Sequence, residues 1–566
     1  MRRWLVPFLA ALFAVSCATA PPAPPQPVHV VVAGTTDLHG WFAGRDANGV
    51  HSGGLAILES YLDALRAANG GRVVVVDSGD LFQGTLESNL FEGEPVIKAY
   101  NAIGYTATAV GNHEFDFGPV GPDSVAQTPD QDPLGALKKN IAAAKFPFLA
   151  ANVVEKATHQ TPSWAKKSII VDVGGVKVGI LGLSTPDTPI TTTPANVASL
   201  DFLDPRQAAL DEAASLRARG ADAVIAIAHI GGKCKEGSDP NDLSGCDPDQ
   251  DLMKLLGALP KGTLDAFFGG HTHYSVDNIV NGTPALQAFS YGQDFSAVDL
   301  WVDPHAHHVV RSALRPITML CAEVYSGTER CNAGGAPKGT PLVPRVYEGK
   351  TITPDPRVAA LVQPYLDQTA AKRNEATGIT TTSEIKRDFA FESALGDLIA
   401  DTMREYMKAD VGLMNSGGIR ANLPRGAIKY GDVFEVSPFD NYVAVVTMTG
   451  AQLAQGLQDN VTGARGLLQV SGIRYTRDDK THAIVSSTID PNATYRVAMP
   501  DFLTQGGDGF ARVMQAIPPD RVQVDRNRTM RDVMIEVLQK HPQPISSKVE
   551  GRVTVLNGPE RQQMQP

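Results

Sequence analysis

Five short polar segments in the first half of the chain each follow a run of apolar residues. These segments contain imidazole nitrogens, carboxylate oxygens and amide oxygens. Hydrolases use these ligand types to hold two divalent cations. The segments are Asp37-Leu38-His39, Gly79-Asp80, Gly111-Asn112-His113-Glu114, His229 and Gly270-His271-Thr272-His273. Their residue types predict a two-metal centre that performs hydrolysis.

The ligands divide between two cations. A pair of closely spaced cations needs a shared carboxylate, and Asp80, alone between an apolar run and a turn, is the natural candidate. Asp37 and His39 are two residues apart in an extended segment, so their side chains point the same way and can share the first cation. We expect Asn112, His229 and the segment 270–273 to complete the two shells, with His271 on the second ion and His273 on the first.

The apolar runs before these segments predict buried strands. They span residues 28–32, 73–76, 107–110, 223–228 and 266–268, and helix-like stretches separate them. Continuous apolar runs of this kind are typical of a layered α/β sheet. Ligands at the ends of such strands converge on one rim of the sheet, where a rigid backbone can hold them. A lone histidine after a strand is more often structural, but here the order of all five segments favours one common site.

The composition and net charge of the chain limit the kinds of molecule that it is expected to bind. The chain has 566 residues, 43% of them hydrophobic and 20% charged, which is ordinary for a globular protein, and its length favours two domains of unequal size. A formal net charge of -11 without a long Lys/Arg run excludes polymeric nucleic acid as an expected partner. We expect a small-molecule substrate and a monomer.

The first residues predict export. Arg2 and Arg3 precede an apolar stretch at 4–15 that is too short for a permanent membrane span and suits a secretory signal. The following Ala14-Val15-Ser16-Cys17 resembles a bacterial lipobox, although alanine replaces the usual leucine. The predictions are a signal peptide at 1–17, a lipid anchor on Cys17 and a Pro-rich tether at 18–27. Ordinary signal cleavage with an incidental Cys17 is the alternative.

The other four cysteines form two close pairs in sequence. Cys234 with Cys246, and Cys321 with Cys331, each flank a loop rich in small polar residues, so two local disulfides in an oxidising compartment are predicted. A zinc-cysteine cluster next to His229 is the alternative, but the cysteine spacing is wider than in zinc knuckles.

The residue pattern of the chain changes after the five polar segments that carry the predicted metal ligands. We predict a first domain at 28–340, a linker with a connecting helix at 341–375, a second domain at 376–556 and a tail at 557–566. The connecting helix is expected from Arg357 to about Asn374, with an apolar stripe of Val358, Leu361, Val362 and Leu366. A second helix is expected at 393–408, followed by strands and glycine-rich turns.

Motifs in both halves resemble those of the 5′-nucleotidase family, which has a calcineurin-like metallophosphoesterase domain. In the first half they are Thr36-Asp37-Leu38-His39-Gly40, Asp77-Ser78-Gly79-Asp80, Gly111-Asn112-His113-Glu114-Phe115-Asp116 and Gly269-Gly270-His271-Thr272-His273. In the second half they are Asn415-Ser416-Gly417-Gly418-Ile419-Arg420, Pro438-Phe439-Asp440-Asn441, Val470-Ser471-Gly472-Ile473-Arg474 and the segment 501–510. The resemblance covers about residues 28 to 556.

The resemblance implies a fold and a reaction. The fold is a four-layer α/β/β/α metallophosphoesterase domain followed by a smaller, mixed α/β substrate-binding domain. The reaction is hydrolysis of 5′-nucleotides to nucleoside and phosphate, by in-line attack of metal-activated water on phosphorus. His113 would contact the phosphoryl group or protonate the leaving oxygen, and Asp116 would orient it. A purely structural His113 that buttresses Asp116 is the alternative.

The resemblance also implies a nucleoside site in the second domain. Phe439 and Phe502 would stack on the base, Asp508 would bind the ribose hydroxyls and Arg420 would hold a phosphate. The remaining matching positions, Asn441 and Gly472, would lie near the edge of the base. Without the family pattern, the two phenylalanines would be interpreted as ordinary core residues.

Two departures from the family pattern affect this site. The family places an additional arginine before the helix at 393–408, but this chain has Asp388-Phe389-Ala390-Phe391-Glu392, and the nearest candidate is Arg387. Weaker anion binding or a shifted substrate preference could follow. Ser416 also stands where glycine is common.

Three functions remain open at this stage. The first is an exported, outer-membrane-anchored 5′-nucleotidase with two cations, of which Zn, Mn and Co suit the ligands best and Fe is possible. The second is a 2′,3′-cyclic nucleotide phosphodiesterase with 3′-nucleotidase activity, or a nucleotide-sugar hydrolase. The third is a surface lipoprotein that only binds a ligand. Because metal segments and nucleoside motifs lie in different domains, we also expect turnover to require closure of one domain on the other.

Overall fold

Two six-stranded sheets lie face to face in the first part of the chain, which we call the N-terminal lobe. The computed structural model describes residues 26–558 apart from 48–49, 236, 238, 333–338 and 464–465. In spatial order, the first sheet contains His308–Met319, Asp294–Asp303, Val28–Thr35, Val73–Asp77, Ala107–Ala109 and Phe148–Leu149. The second contains Val276–Val280, Thr283–Gln287, Ala266–Phe268, Ala223–His229, Val176–Ser184 and Ser168–Val173.

The predicted strands are all present, and within each sheet they pair in parallel with one another. Val28–Thr35 pairs in parallel with Val73–Asp77, which pairs with Ala107–Ala109, while Ala223–His229 pairs in parallel with Ala266–Phe268. The strands therefore come from two sheets and not from one. The outermost strand is antiparallel to its neighbour at three of the four sheet edges, and at the fourth Phe148–Leu149 is parallel to Ala107–Ala109. Since parallel strands end on the same side, all five polar segments lie at the carboxyl ends of strands.

The apolar runs fill the space between the two sheets. Fully buried side chains from both sheets form one cluster there, among them Val30, Val32, Val74, Ile180 and Ile225. Strands buried on both faces must be apolar at every position, which explains why these runs do not alternate with polar residues.

Helices cover the outer face of each sheet. Leu55–Ala68, Glu94–Ile103 and Pro356–Arg373 contribute to the core cluster outside the first sheet, and Pro205–Ala218 and Asp251–Ala258 to the cluster outside the second. The N-terminal lobe is thus a four-layer α/β/β/α structure, as the family resemblance implied. The other helices of this lobe are Leu86–Asn89, Gly135–Ala143 and Thr188–Thr191, with 3₁₀ turns at His113–Phe115 and Pro194–Val197.

The rest of the chain forms a smaller, mixed α/β C-terminal lobe. Its main sheet has the order Leu468–Ser471, Val411–Asn415, Thr494–Pro500, Tyr442–Thr449 and Val522–Thr529, and a second sheet contains Ala483–Ser487, Tyr475–Asp478 and Val553–Leu556. Its helices are Ala394–Tyr406, Tyr430–Val436, Gly450–Thr462, Asp501–Thr504, Ala511–Gln515 and Met530–Lys540, with 3₁₀ turns at Ser416–Gly418, Gly507–Gly509 and Pro519–Arg521.

Five two-stranded ribbons complete the described part of the chain. They pair Arg45–Ala47 with Val50–Ser52, Val153–Glu155 with Leu200–Phe202, Glu323–Tyr325 with Leu342–Pro344, Val346–Tyr347 with Lys350–Thr351, and Ala376–Thr381 with Gly426–Lys429.

The connecting helix Pro356–Arg373 belongs to the N-terminal lobe by its packing. Asp355 caps it by accepting a hydrogen bond from the backbone N–H of Val358 at 2.8 Å. Val358 and Val362 are buried in the core outside the first sheet, whereas Leu361 is 37% exposed, so its predicted place on the apolar stripe is wrong. At the last turn, Arg373 contacts Glu87 of the N-terminal lobe and Glu435 of the C-terminal lobe.

Both predicted disulfides are confirmed. Cys234 is bonded to Cys246, and Cys321 to Cys331. The alternative of a zinc-cysteine cluster is therefore wrong. The predicted signal peptide and lipid anchor at 1–17, most of the tether at 18–27 and most of the tail at 557–566 lie outside the described residues. Among the residues that the structure describes, no helix has both the length and the apolar character needed to cross a bilayer.

A close approach of the two sheets makes Gly182 a test of this packing. A Cβ at Gly182 would lie 2.4 Å from the carbonyl oxygen of Leu149 on the opposing sheet, whereas one at Gly257 on a helix would meet nothing within 4 Å. We expect Gly182→Ala to lower the free energy of unfolding by about 1–3 kcal/mol. We expect Gly257→Ala to raise it by roughly 0.5–1 kcal/mol, because alanine is the better helix former.

Thermal and urea unfolding followed by circular dichroism measure both effects. Equal stability of Gly182→Ala and the unmodified protein would contradict the close sheet-to-sheet contact.

Candidate two-metal centre and substrate cleft

The first group of metal-ligating side chains consists of Asp37, His39 and His273. Their donor atoms lie within 4.8 Å of one another. His39 Nε2 is 3.0 Å from His273 Nε2, and Asp37 Oδ1 is 3.3 Å from His273 Nε2. These are the three residues that the sequence assigned to the first cation.

The second group consists of Asp80, His229 and His271. Asp80 Oδ2 is 3.0 Å from His229 Nε2, and His229 Nε2 is 3.2 Å from His271 Nδ1. Asp80 Oδ2 is also 3.7 Å from His39 Nε2 of the first group. Asp80 therefore faces both groups, which is the position that a shared carboxylate needs.

The hydrogen bonds around these groups fit cations at their centres. His39 Nδ1 donates to the carbonyl oxygen of Gln83 at 2.8 Å, and His229 Nδ1 donates to that of Ser78 at 2.9 Å. In the neutral imidazoles the Nε2 lone pairs therefore point inward, towards other nitrogens and carboxylates. Such facing lone pairs repel one another, and a cation between them removes the repulsion.

The side-chain amide of Asn112 also indicates a cation site. Its side-chain N–H donates to the carbonyl oxygen of Thr191 at 3.3 Å, which fixes the orientation of the amide. Its Oδ1 is buried and has no hydrogen-bond partner. An unpartnered buried acceptor is costly unless a ligand satisfies it, and an amide oxygen is a good ligand for a divalent cation.

The electrostatics of the centre also favour positive charge. Burial would raise the pKa of Asp37, but His273 and His229 lower it to about 2. Burial would lower the pKa of His229, but Asp80 and Asp37 raise it to about 10. The carboxylates thus remain ionised in a buried site and draw positive charge to it.

The backbone is strained where it presents these ligands. Residues other than glycine rarely adopt positive φ, and each such residue costs about 1–3 kcal/mol. Five ligands do so here, with φ of 50° at Asp37, 48° at His39, 60° at Asp80, 81° at His271 and 56° at His273. Strain concentrated at one cluster is typical of functional sites.

Glu114 holds two of the polar segments together from behind. Its carboxylate accepts backbone N–H groups of Asp80 at 2.8 Å, Leu81 at 2.6 Å and Gly111 at 2.7 Å. These contacts fix the turn that carries Asp80 next to the turn that carries Asn112. The sequence indicated no role for Glu114, because its partners are backbone groups that only the fold brings close.

His113 lies beside the second group with its ring fixed. Its Nδ1 is 2.5 Å from Asp116 Oδ2, and Thr192 donates a hydrogen bond to Asp116 Oδ1 at 2.7 Å. Burial would lower the pKa of His113, but Asp116 and Asp80 raise it. The contact with Asp116 fixes the ring and leaves Nε2 free of that carboxylate, a geometry that fits the orienting role that the resemblance implied for Asp116.

The C-terminal lobe supplies the opposite wall of one large cleft. Arg420 donates from Nη2 to His39 Nε2 at 3.2 Å, and the Phe439 ring centroid is 5.6 Å from that of His113. The Phe502 ring lies on Gly507, where a Cβ would be 2.3 Å from the ring. The cleft is lined by both lobes, and the predicted substrate residues on it are Arg420, Phe439, Asn441, Phe502 and Asp508.

Comparisons with known proteins agree with this arrangement. The family model for calcineurin-like phosphoesterases matches residues 30–275, and that for the 5′-nucleotidase C-terminal domain matches residues 371–515. Together they match well over half of the chain. It belongs to the 5′-nucleotidase family.

Individual known proteins match along most of their length. A 5′-nucleotidase of Vibrio cholerae is 29% identical over 88% of this chain and 89% of its own. Cell wall protein Lmo0130 of Listeria monocytogenes is 27% identical over 87% of this chain and 66% of its own. A crystal structure of a 5′-nucleotidase precursor from Thermus thermophilus superposes with a TM-score of 0.74, at 25% identity, over 94% of this chain and 100% of that one.

One of the family positions that the sequence indicated does not lie in the cleft. Gly472 is exposed and is absent from the cleft wall, and a Cβ there would be 2.2 Å from the carbonyl oxygen of Asp410. The glycines of the C-terminal lobe that line the cleft are Gly417, Gly418, Gly463 and Gly466. The expected position of Gly472 near the base edge is therefore not supported, and the close backbone contact with a φ of 81° accounts for the glycine.

The two departures from the family pattern are accommodated in different ways. Arg387 lines the cleft and donates from Nη1 to the carbonyl oxygen of Ile419 at 3.0 Å, while burial, and then Arg420, lower its pKa. Ser416 is buried, and its Oγ accepts a hydrogen bond from Gln469 Nε2 at 2.9 Å. Arg387 thus reaches the substrate cleft although its sequence register differs.

Sequence reasoning missed several residues of the site. Asn415 lines the cleft with a buried Oδ1 that has no hydrogen-bond partner, and its place in the Asn415 to Arg420 motif could have indicated it. Tyr291 has its ring centroid 5.1 Å from that of His273, and Thr191 and Thr192 hold Asn112 and Asp116. No sequence signal marks these three, because they reach the site only through the fold.

Metal analysis tests the centre. We expect the purified protein to hold two divalent ions per chain and His271→Ala to lose one of them, because the second group would keep too few ligands. His307→Ala is the control, since His307 pairs with Asp222 elsewhere on the N-terminal lobe. Elemental analysis after dialysis, with anomalous scattering from crystals, measures both. Absence of ions near Asp80 after soaking would contradict the metal centre.

Proposed function

We propose that this chain hydrolyses 5′-nucleotides to nucleoside and inorganic phosphate, with two divalent cations held by the seven ligands named above. One observation carries the proposal: Asp80 and both histidine groups face an arginine and two phenylalanines of the C-terminal lobe across one cleft. A charged phosphate and a flat base, joined in one small molecule, fit these two walls.

The phosphate end of the substrate would lie between the lobes. When bound, the two cations supply Lewis acids that neutralise phosphoryl charge and activate the attacking water. Arg420 would pair with phosphate oxygens from the C-terminal side. His113, oriented by Asp116, would donate a proton from Nε2 to the leaving oxygen as the ester P–O bond breaks.

The nucleoside end would occupy the aromatic part of the cleft. Phe439 and Phe502 would stack on the base, and Asp508 would accept hydrogen bonds from the ribose hydroxyls. Stacking contributes roughly 1 to 3 kcal/mol per base whatever the base, so discrimination among bases would be modest. Asn441 and Asn415, which line the same cleft, would supply polar groups near the base.

The ligand set narrows the choice of metal. Four imidazoles, two carboxylates and one amide oxygen make a mixed nitrogen and oxygen environment, which suits Zn, Mn or Co. The fold positions all seven at the ends of strands, as a rigid site for a cation pair requires.

We also propose that the protein is exported and anchored in the outer membrane through Cys17. Two disulfides among the described residues support an oxidising compartment, and the basic and apolar residues at 2–15 support a secretory signal. The relative in Listeria that carries the name cell wall protein is consistent with export.

Phosphate release from a substrate panel tests the activity. We expect the purified enzyme with Mn²⁺ to release phosphate from AMP, and a chelator to abolish the release because the cation pair is lost. Cyclic AMP isomers and UDP-glucose in the same panel distinguish the alternative hydrolase activities. Product analysis by chromatography identifies adenosine. Hydrolysis of the cyclic nucleotides or UDP-glucose without any of AMP would contradict the proposal.

His113 provides a second test. We expect His113→Ala to reduce kcat on AMP by about 100- to 10,000-fold, the usual contribution of a positioned general acid. Asp116→Asn should cause a smaller loss, because the ring remains but loses its partner. Steady-state kinetics measures both.

Metal content serves as the control for both variants. If His113→Ala keeps two metal ions and full activity, His113 has only the structural role of supporting Asp116.

A further inference from the structure

The ring of His273 is held differently from the rings of His39 and His229. Those two histidines donate from Nδ1 to backbone carbonyl oxygens, at 2.8 and 2.9 Å, and this bond fixes each ring behind its inward-facing nitrogen. The Nε2 of His273 faces His39 and Asp37, but within the described chain no protein group forms a hydrogen bond with its Nδ1. Packing is therefore left to orient this ring.

Tyr291 provides the packing contact. Its ring centroid is 5.1 Å from that of His273, and the two ring planes are nearly perpendicular, at 85°. An edge-to-face contact at this separation is favourable and restricts the angle between the rings. The centroid of Tyr291 is also 5.6 Å from that of His39. The tyrosine thus packs against both histidines of the first group.

The backbone of Tyr291 contacts the remaining member of the first group. Its N–H donates to the carbonyl oxygen of Asp37 at 2.7 Å. One residue therefore contacts all three members of the group, two through its ring and one through its backbone. In the second group, the rings of His229 and His271 contact each other, with centroids 5.0 Å apart. Tyr291 is thus placed to support the first group.

The fold holds Tyr291 in a strained conformation. Its φ is 60°, and that of Phe289 in the same loop before strand Asp294–Asp303 is 31°. A bulky residue at positive φ is uncommon, and such a conformation persists only where surrounding contacts determine it. One of these contacts follows directly, since the carbonyl oxygen of Gly292 accepts a hydrogen bond from the N–H of Gly54 at 2.9 Å. The direction of the tyrosine ring is therefore set by the backbone.

We propose that Tyr291 is a positioning residue for the first cation, and that its ring sets the affinity of this site by holding the imidazole of His273. The inference rests on the cation pair of the proposed function. Groups that orient a metal-ligating histidine typically change metal affinity by about 10- to 100-fold when they are removed. The ring and not the hydroxyl makes the contacts, and it supports one of the two groups, so the effect of its loss is selective.

Titration of the metal-free protein with Mn²⁺ tests this role. We expect Tyr291→Ala to weaken binding at one of the two sites by about 10- to 100-fold and to leave the other site unchanged. Tyr291→Phe should bind as the unmodified protein does, because it keeps the ring. Tyr291→Leu keeps apolar volume without the ring and should bind as weakly as Tyr291→Ala. Isothermal titration calorimetry measures the two dissociation constants of each variant.

A tyrosine elsewhere on the surface provides the control. Tyr495 is half-buried in the C-terminal lobe, lies outside the cleft wall, and accepts a hydrogen bond from the N–H of Asp490 at 3.0 Å. Tyr495→Ala should leave both Mn²⁺ affinities unchanged. Circular dichroism checks that each variant is folded, and the comparison of Tyr291→Leu with Tyr291→Phe decides the question if Tyr291→Ala does not fold.

Anomalous scattering assigns the affected site. In crystals of Tyr291→Ala or Tyr291→Leu soaked in limiting Mn²⁺, we expect lower occupancy between Asp37 and His273 and retained occupancy between His229 and His271. Unchanged Mn²⁺ affinity in both variants, equal weakening at both sites, or Tyr291→Leu that binds as tightly as Tyr291→Phe would overturn the inference.

Hydrolysis separates this inference from the proposed function. If the unmodified protein binds two Mn²⁺ ions but releases no phosphate from AMP, the proposed function fails, and the titrations still decide the role of Tyr291. If the protein hydrolyses AMP and the variants keep both affinities, only the inference fails. An unmodified protein that binds no Mn²⁺ would overturn both.

Discussion

The mutual repulsion of buried donor groups around Asp80 is the constraint on which the site depends. Asp37, Asp80 and four imidazoles share a small volume, and backbone carbonyls behind two of the imidazoles direct their remaining lone pairs inward. Such a cluster is unstable without added positive charge. The fold therefore has to hold it rigidly, and it does so with parallel strands from two sheets, strained turns and the carboxylate of Glu114.

The two lobes contribute different chemistry to one substrate. The N-terminal lobe offers a polar, highly charged wall, whereas the C-terminal lobe offers rings, glycines and an arginine. In the proposed function neither wall alone would hold a nucleotide in a defined position, because the polar wall would bind phosphate and the other wall a flat base. Arg420 reaches across to His39 and so brings a guanidinium of one lobe to the candidate metal centre of the other.

Much of the metal site could be predicted from the sequence, because each ligand directly follows an apolar run that can only be a buried strand. Asp37, Asp80 and His229 illustrate this: local pattern and strand direction suffice to bring them to one edge. The sequence could not show that the strands form two sheets, since buried strands of either sheet have the same pattern. The metal-site roles themselves stay predictions, as do the predicted domain limits.

The substrate wall was less predictable for a physical reason. Arg420, Phe439 and Asn441 sit in loops, and a loop residue points to the cleft or away from it according to contacts made far along the chain. Gly472 matches a family motif but lies against Asp410, while Gly466 and Phe389 meet only through the fold. Leu361 shows the same limit of sequence-based prediction on a helix. Residue spacing predicts which side chains share one helix face, but it does not reveal which part of that face other elements cover.

The packing of the connecting helix determines where the molecule can bend. Val358, Val362 and Tyr365 fix Pro356–Arg373 to the N-terminal lobe as far as its last turn, and the first strand of the C-terminal lobe begins at Ala376. Any rotation of one lobe against the other is thus concentrated in Asn374 and Glu375. Arg373, just before this pivot, pairs with Glu87 of its own lobe and with Glu435 of the other, so wide separation of the lobes breaks the ion pair with Glu435.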